Sequence, residues 1–153
     1  MEISFGKQIE EISAMASKDG DGLLHEICSY LKSKNSKYNW VGIYIIDGTN
    51  LRLETFVGRP TEHTLIPIGE GLCGQAIAKK EIVNEPDVSA NTEYLSCSIE
   101  TKSELVVPIW HKDQLVGEVD IDSDMPRAFT EEDESFLKSV GHIISKDVYV
   151  RYK

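Results

Sequence analysis

The chain has 153 residues, of which 41% are hydrophobic and 27% are charged, and its formal net charge at pH 7 is −10. A chain of this size fits one domain over residues 1–153 and is long enough to bury its own core. The acidic charge argues against a nucleic-acid partner and against adhesion to an anionic membrane, because both need a basic patch. The sequence has three cysteines and no secretory or membrane-spanning stretch. We therefore expect a cytoplasmic protein whose thiols stay reduced unless they are redox-active.

The N-terminal third is predicted to form two helices, separated by a glycine- and aspartate-rich stretch near residue 20. Apolar residues recur at helical spacing in the first helix at Phe5, Ile9, Ile12 and Met15, and in the second at Leu23, Leu24, Ile27, Cys28 and Leu31. Cys28 belongs to the second apolar stripe. We therefore expect a small buried side chain at this position rather than a reactive thiol.

From Trp40 onward the apolar period changes to two, which predicts strands. Val41, Ile43 and Ile45 form one face of the first strand, and Trp40 and Tyr44 lie on the other. Further strands are predicted around residues 51–55, 105–110 and 115–122, with short apolar segments near 66 and 83, a helical stretch from 73 and a polar loop from about 84 to 102. An acidic helix start at residue 130 opens a final amphipathic helix. This order predicts an α+β fold, with a central antiparallel sheet of about six strands and the N- and C-terminal helices packed on one face.

The two C-terminal strands are predicted to form a hairpin. A three-residue turn would pair Leu105 with Val119 and keep apolar residues on one face. A two-residue turn would pair Leu105 with Asp120 and mix apolar and acidic groups. The first register sets Glu104 opposite Asp120, with Asp122 two residues further along. It therefore places three carboxylates together on the face away from the core.

Three neighbouring carboxylates repel one another, and this repulsion raises their pKa. Two interpretations stay open: a solvated outer face, or a site that holds a cation or a shared proton. Trp40 and Tyr44 share one face of their strand. If that is the carboxylate face, they would form an aromatic floor suited to a cation or a sulfur group. The alternative is that Trp40 packs under a loop.

The remaining cysteines have different surroundings. Cys73 follows a glycine-rich turn at the start of a helical stretch, where free N–H groups and the helix dipole stabilise a thiolate. Cys97 lies in a polar loop that we expect to be exposed, either as an ordinary surface thiol or as a reactive one. Neither the cysteines nor the four histidines have zinc-ligand spacing, so no metal is expected.

Several segments closely resemble the free methionine-(R)-sulfoxide reductases, which are stand-alone GAF-domain enzymes. The segments are NWVGIY at 39–44, GEGLCG at 69–74, SELVVP at 103–108 and GEVDIDS at 117–123, followed by RAFT at 127–130. The resemblance implies a GAF-like fold and the reduction of free L-methionine-(R)-sulfoxide through a sulfenic acid and an intramolecular disulfide. It also implies a thioredoxin-like reductant, no cofactor, and a homodimer as the common assembly.

Position by position, the resemblance makes Cys97 the catalytic cysteine and Cys73 the resolving one. It makes five residues the substrate pocket, with a proton donor among the acids: Trp40, Tyr44, Glu104, Asp120 and Asp122. His63 stands where many members have a further cysteine, and Ser98 where many have an acid. Two other functions for the same sequence are a non-catalytic small-molecule-sensing GAF module and a peroxide sensor that uses the same thiols.

Overall fold

The computed structural model describes residues 2–18, 20–90 and 100–152. Two helices come first, α1 (Phe5–Ser17) and α2 (Leu23–Lys34). Helix α3 (Gly71–Lys79) lies between the strands, and α4 (Glu131–Tyr149) follows them. The strands are β1 (Trp40–Asp47), β2 (Asn50–Val57), β3 (Leu65–Pro67), β4 (Val83–Glu85), β5 (Ser103–His111) and β6 (Gln114–Ser123). A short 3₁₀ turn spans Val88–Ala90.

Side-chain caps fix where helices α1 and α4 begin. Ser4 accepts a hydrogen bond from the backbone N–H of Lys7 at the start of α1. Thr130 and Asp133 form a reciprocal capping box at the start of α4. The Asp133 carboxylate also accepts hydrogen bonds from the Tyr38 hydroxyl at 2.6 Å and from the Lys37 ammonium at 2.8 Å. This buried network joins the start of α4 to the segment that leads into β1.

Within the described residues, the six strands pair antiparallel in one sheet of order β3-β2-β1-β6-β5-β4. Helices α1, α2 and α4 cover one face, and their apolar side chains form a continuous core with alternate residues of β1, β5 and β6. Helix α3 packs on the opposite face above a smaller apolar cluster. The predicted α+β architecture, with the terminal helices on one face, is confirmed.

The turn between β5 and β6 differs from the predicted three-residue turn. His111 pairs with Gln114 across a two-residue turn, in which Lys112 has a positive φ of 56°. The register then shifts between Ile109 and Trp110. Such a β-bulge places an extra residue opposite one partner and changes which residues face each other.

The bulge changes which residues pair near the turn and which face of the sheet each of them occupies. Val116 points into the main core, and Leu115 lies on the α3 side. The predicted pairing was therefore wrong: Leu105 pairs with Ile121 rather than Val119, and Glu104 pairs with Asp122 rather than Asp120. The bulge restores apolar-to-apolar pairing despite the short turn. The three acids still share one face, because each new partner is displaced by two residues.

No helix in the part of the chain that the structure describes has the length and apolar character needed to cross a bilayer.

Candidate active site

The carboxylate face of the sheet is the face that α3 covers. In the β1–β6 pairing, Trp40 lies opposite Asp122 and Tyr44 lies opposite Glu118. The aromatic residues and the acids therefore share a face, which decides a question that the sequence left open. All four side chains are at least nine-tenths buried, so the interpretation of this face as a solvated outer surface is wrong.

Helix α3 brings Cys73 onto this acidic face. Two glycines with positive φ, Gly69 at 102° and Gly71 at 65°, allow the sharp turn before the helix. Gly74 packs so tightly that a β-carbon there would lie 2.7 Å from the Pro67 carbonyl oxygen. This close approach holds the first turn of α3 against the glycine turn that precedes it. Cys73, the third residue of the helix, is buried.

The Cys73 thiol lies among carboxylates. Its Sγ lies 3.2 Å from Asp120 Oδ2, to which the thiol donates a hydrogen bond, and 3.8 Å from Glu104 Oε2. Burial raises the pKa of Cys73 well above its ordinary value, and the negative charges of Asp120, Glu118 and Glu104 raise it further. The expectation that the helix start would stabilise a thiolate was wrong. Loss of water and nearby negative charge outweigh the weak helix dipole.

The aspartates of β6 also favour their protonated forms. Burial raises the pKa of Asp122 well above its ordinary value. The negative charge of Asp120 adds to this rise, and a hydrogen bond with Glu104 and the Arg59 charge partly oppose it. Burial likewise raises the pKa of Asp120, and hydrogen bonds with Glu104 and Cys73 partly offset that rise. The site therefore holds carboxylic acids that can donate protons near neutral pH.

Glu118 is a fourth acid in this cluster, and the sequence reasoning missed it. It is completely buried, and neither of its carboxylate oxygens has a hydrogen-bond partner among the described residues. Burial raises the pKa of Glu118 well above its ordinary value and the charge of Asp120 adds to the rise, while the Cys73 thiol partly opposes it. The signal was present in the alternation of β6, because Glu118, Asp120 and Asp122 are two residues apart.

The two aromatic residues are held by hydrogen bonds to a neighbouring loop. Trp40 Nε1 donates to the Arg59 carbonyl oxygen at 3.0 Å, and the indole stacks on Phe56 with ring centroids 5.5 Å apart. The Tyr44 hydroxyl donates to the His63 carbonyl oxygen at 2.7 Å. The Trp40 ring also lies over Gly42, where an added β-carbon would lie 2.4 Å from the ring. Trp40 therefore packs against β2 and the segment that follows it.

A small cavity lies between α3, β1, β5 and β6. Its described lining consists of Tyr44, His63, Ile66, Gly71, Leu72, Cys73, Glu104 and Asp120. It has about 10 Å³ of space for the centre of a water-sized sphere, which is room for about one water molecule or ion. Trp40 and Asp122 are not among its described lining residues. The structure thus gathers Cys73, Tyr44, Glu104 and Asp120 around the cavity and sets the other two predicted pocket residues beside it.

The expectations for Cys97 and Cys28 have different outcomes. Cys97 and Ser98 lie outside the described residues. Cys28 is buried in the main core, and burial raises its pKa to about 12, which confirms its assignment as a small apolar residue. Of the described residues, Cys73, Glu104 and Asp120 offer potential metal-ligand atoms within 4.8 Å of one another.

The fold and sequence match known proteins over most of the chain. Residues 19–148 match the GAF domain family. A free methionine-R-sulfoxide reductase of Escherichia coli is 35% identical over 102 residues, which cover 67% of this chain and only 61% of that protein.

Two solved structures give longer matches. The type II free methionine-R-sulfoxide reductase of Thermoplasma acidophilum is 42% identical, with a TM-score of 0.84 over 92% of this chain and 97% of that one. The free methionine-R-sulfoxide reductase of Neisseria meningitidis, solved in complex with its substrate, is 31% identical, with a TM-score of 0.89 over 95% of this chain and 88% of that one.

The fold and the acidic site under α3 define a GAF-domain protein. Within the GAF domain proteins, the chain belongs to the family of free methionine-R-sulfoxide reductases.

Proposed function

We propose that this protein reduces free L-methionine-(R)-sulfoxide to methionine, with Cys97 as nucleophile and Cys73 as resolving thiol. The observation that carries the proposal is the buried Cys73 thiol, 3.2 Å from Asp120 and 3.8 Å from Glu104 in the pocket of a reductase-like GAF domain. A domain that only binds a ligand has no need for a thiol held against proton donors and acceptors. The named relatives supply the substrate class.

The acidic cluster suits the charged end of a free amino acid. The substrate ammonium would face Glu104, Asp120 and Asp122, whose mutual repulsion a cation relieves. Trp40 and Tyr44 would contact the sulfur end, because aromatic rings and polarizable sulfur attract each other. Methionine sulfoxide is larger than the present cavity, so binding requires a wider pocket than the one described. A peptide-bound sulfoxide lacks the free ammonium and would lose this recognition.

The first chemical step breaks the sulfur–oxygen bond of the substrate. The Cys97 sulfur attacks the sulfoxide sulfur, while a carboxylic acid among Glu104, Asp120 and Asp122 protonates the departing oxygen. The protonated oxygen then moves to the Cys97 sulfur as the sulfur–sulfur bond of this adduct and the sulfur–oxygen bond of the substrate break. Methionine leaves with both electrons, and Cys97 retains the oxygen as a sulfenic acid. The raised pKa values of Asp120 and Asp122 favour the protonated form that this role requires near neutral pH.

The second step forms a disulfide. The Cys73 sulfur attacks the Cys97 sulfenic acid, and the sulfenic oxygen leaves as water. Because its surroundings keep the Cys73 thiol protonated, a base must accept that proton, and Asp120 already accepts its hydrogen bond. An external dithiol of the thioredoxin type then reduces the disulfide. We further propose a cytoplasmic location, where such reductants are available, and a homodimeric assembly.

Turnover tests this function directly. The full chain, thioredoxin, thioredoxin reductase and free methionine-(R)-sulfoxide should together consume NADPH. Cys97→Ser should abolish consumption and Cys28→Ala should retain it, because Cys28 lies in the core away from the site. Binding of the sulfoxide without turnover would instead support a sensing module. NADPH consumption with hydrogen peroxide but not with the sulfoxide would support a peroxide sensor.

A further inference from the structure

We propose that Cys73, Glu104 and Asp120 form a binding site for a thiophilic divalent cation of the Zn²⁺ type in the reduced protein. One side chain comes from α3, one from β5 and one from β6, so the fold itself brings the ligand atoms together. The spacing of these residues along the chain does not indicate such a site. It is formed by packing a helix onto a sheet rather than by a local motif.

The two sulfur–oxygen distances match those of a tetrahedral centre. With a metal–sulfur bond of about 2.3 Å and a metal–oxygen bond of about 2.0 Å, the edge between sulfur and oxygen in a tetrahedron is about 3.5 Å. The observed distances from Cys73 Sγ to Asp120 Oδ2 and Glu104 Oε2 are 3.2 and 3.8 Å. A cation could therefore bind with shifts of a few tenths of an ångström. Glutamate and aspartate provide hard oxygen ligands, and the cysteine gives preference to a softer metal.

A second observation points to a ligand at the same place. Asp120 Oδ1 is buried and has no hydrogen-bond partner among the described residues. Buried polar atoms without partners are costly, and a cation beside them would offset that cost. The cavity that Cys73, Glu104 and Asp120 line has room for about one ion. It is too small for an amino acid as it stands.

Metal binding would exchange a proton for a metal–sulfur bond. The Cys73 thiol loses its proton to the buffer as the bond forms, because a coordinating thiol is deprotonated by the cation. No electrons are transferred. If Cys73 is the resolving thiol, which rests on the proposed function, the bound metal blocks disulfide formation. Oxidation of Cys73 would in turn release the metal.

Cobalt(II) is the probe of choice, because a thiolate bound to Co²⁺ gives a sulfur-to-metal charge-transfer absorption in the near ultraviolet. The reduced full-length chain, titrated without oxygen, should show this band saturating at about one equivalent. Cys73→Ser should abolish it, whereas Cys28→Ala and Cys97→Ser should retain it. Asp120→Asn should weaken Co²⁺ binding by at least about 10-fold. Absence of the band, or its persistence in Cys73→Ser, would overturn the proposal.

A measurement on the unmutated chain guards against variants that fail to fold. Stoichiometric Zn²⁺ should slow alkylation of Cys73 at least about 10-fold, as measured by mass spectrometry, and leave alkylation of unfolded protein unchanged. Equal alkylation rates with and without Zn²⁺ would contradict the site. Turnover in chelator-treated buffer tests the proposed function separately. A protein that reduces the sulfoxide but shows no Cys73-dependent Co²⁺ band would disprove the metal site alone.

Discussion

Replacing Glu118 with glutamine should change how the stability of the protein depends on pH. The Glu118 carboxyl is completely buried, lacks hydrogen-bond partners among the described residues and lies near the Asp120 charge. These surroundings keep it protonated in the folded protein well above its ordinary pKa of 4.5. Glutamine has nearly the same shape and cannot ionise, so Glu118→Gln removes the titration with little change in volume.

The size of the effect follows from proton linkage. A carboxyl whose folded pKa is raised gives its full stabilisation below the unfolded pKa and loses it as pH rises toward the folded pKa. In that window the unfolded chain releases one proton that the folded chain keeps. The free energy of unfolding therefore falls by about 1.4 kcal/mol per pH unit for this group. The loss accumulates over every pH unit in which folded Glu118 keeps its proton and the unfolded chain does not, and Glu118→Gln should avoid it.

Urea denaturation at several pH values between 5.5 and 7.5 measures this slope. The slope is a better test than stability at one pH, because the buried glutamine amide itself costs about 1–3 kcal/mol when unpaired. With rising pH the free energy of unfolding of the wild type should fall more steeply than that of Glu118→Gln, by up to about 1.4 kcal/mol per pH unit. Glu81→Gln, at an exposed glutamate, is the matched control and should retain the wild-type slope. Equal slopes for wild type and Glu118→Gln would refute the assignment of Glu118 as a buried neutral acid.

Three further predictions concern the site. Glu104→Gln should lower the turnover number by about 100-fold in the NADPH assay, because it removes an acid from the proton-donating cluster; wild-type turnover would exclude that role. Cys73→Ser should release one methionine per chain in a single turnover and then stop with Cys97 as a sulfenic acid that dimedone traps; continued turnover would show that another thiol resolves it. Gly42→Ala should destabilise the fold by about 1–3 kcal/mol in urea denaturation, because the new methyl group would lie 2.4 Å from the Trp40 ring and force the ring to move. Unchanged stability, with an unchanged KM for the sulfoxide, would mean that the position of Trp40 is not constrained.

Alternation in the sequence was enough to predict which face most strand residues occupy. Trp40, Tyr44 and the acids of β6 share one face because a strand places every second side chain on the same side. The bulge near the start of β6 was not predictable from the pattern. Leu115 and Val116 are both apolar, so either could enter the core, and the alternation does not mark which residue is inserted.

The position of Cys73 at a helix start was predictable, but its chemical environment was not. A glycine-rich turn followed by helical spacing placed the thiol locally. Its burial against Glu104 and Asp120 depends on how α3 packs across the sheet, which is a long-range contact without a sequence signature. This packing reverses the expected effect on the pKa of the thiol, because burial and negative charge exceed the helix dipole.

Mass spectrometry after a single turnover tests the central claim most directly. The reduced full-length chain is mixed with one equivalent of free methionine-(R)-sulfoxide, without any external reductant, and is then alkylated and digested. The proposed function predicts one methionine released per chain and a Cys73–Cys97 disulfide, with Cys28 alkylated only after unfolding. Free and fully alkylated Cys73 and Cys97, with the sulfoxide unconsumed, would contradict it.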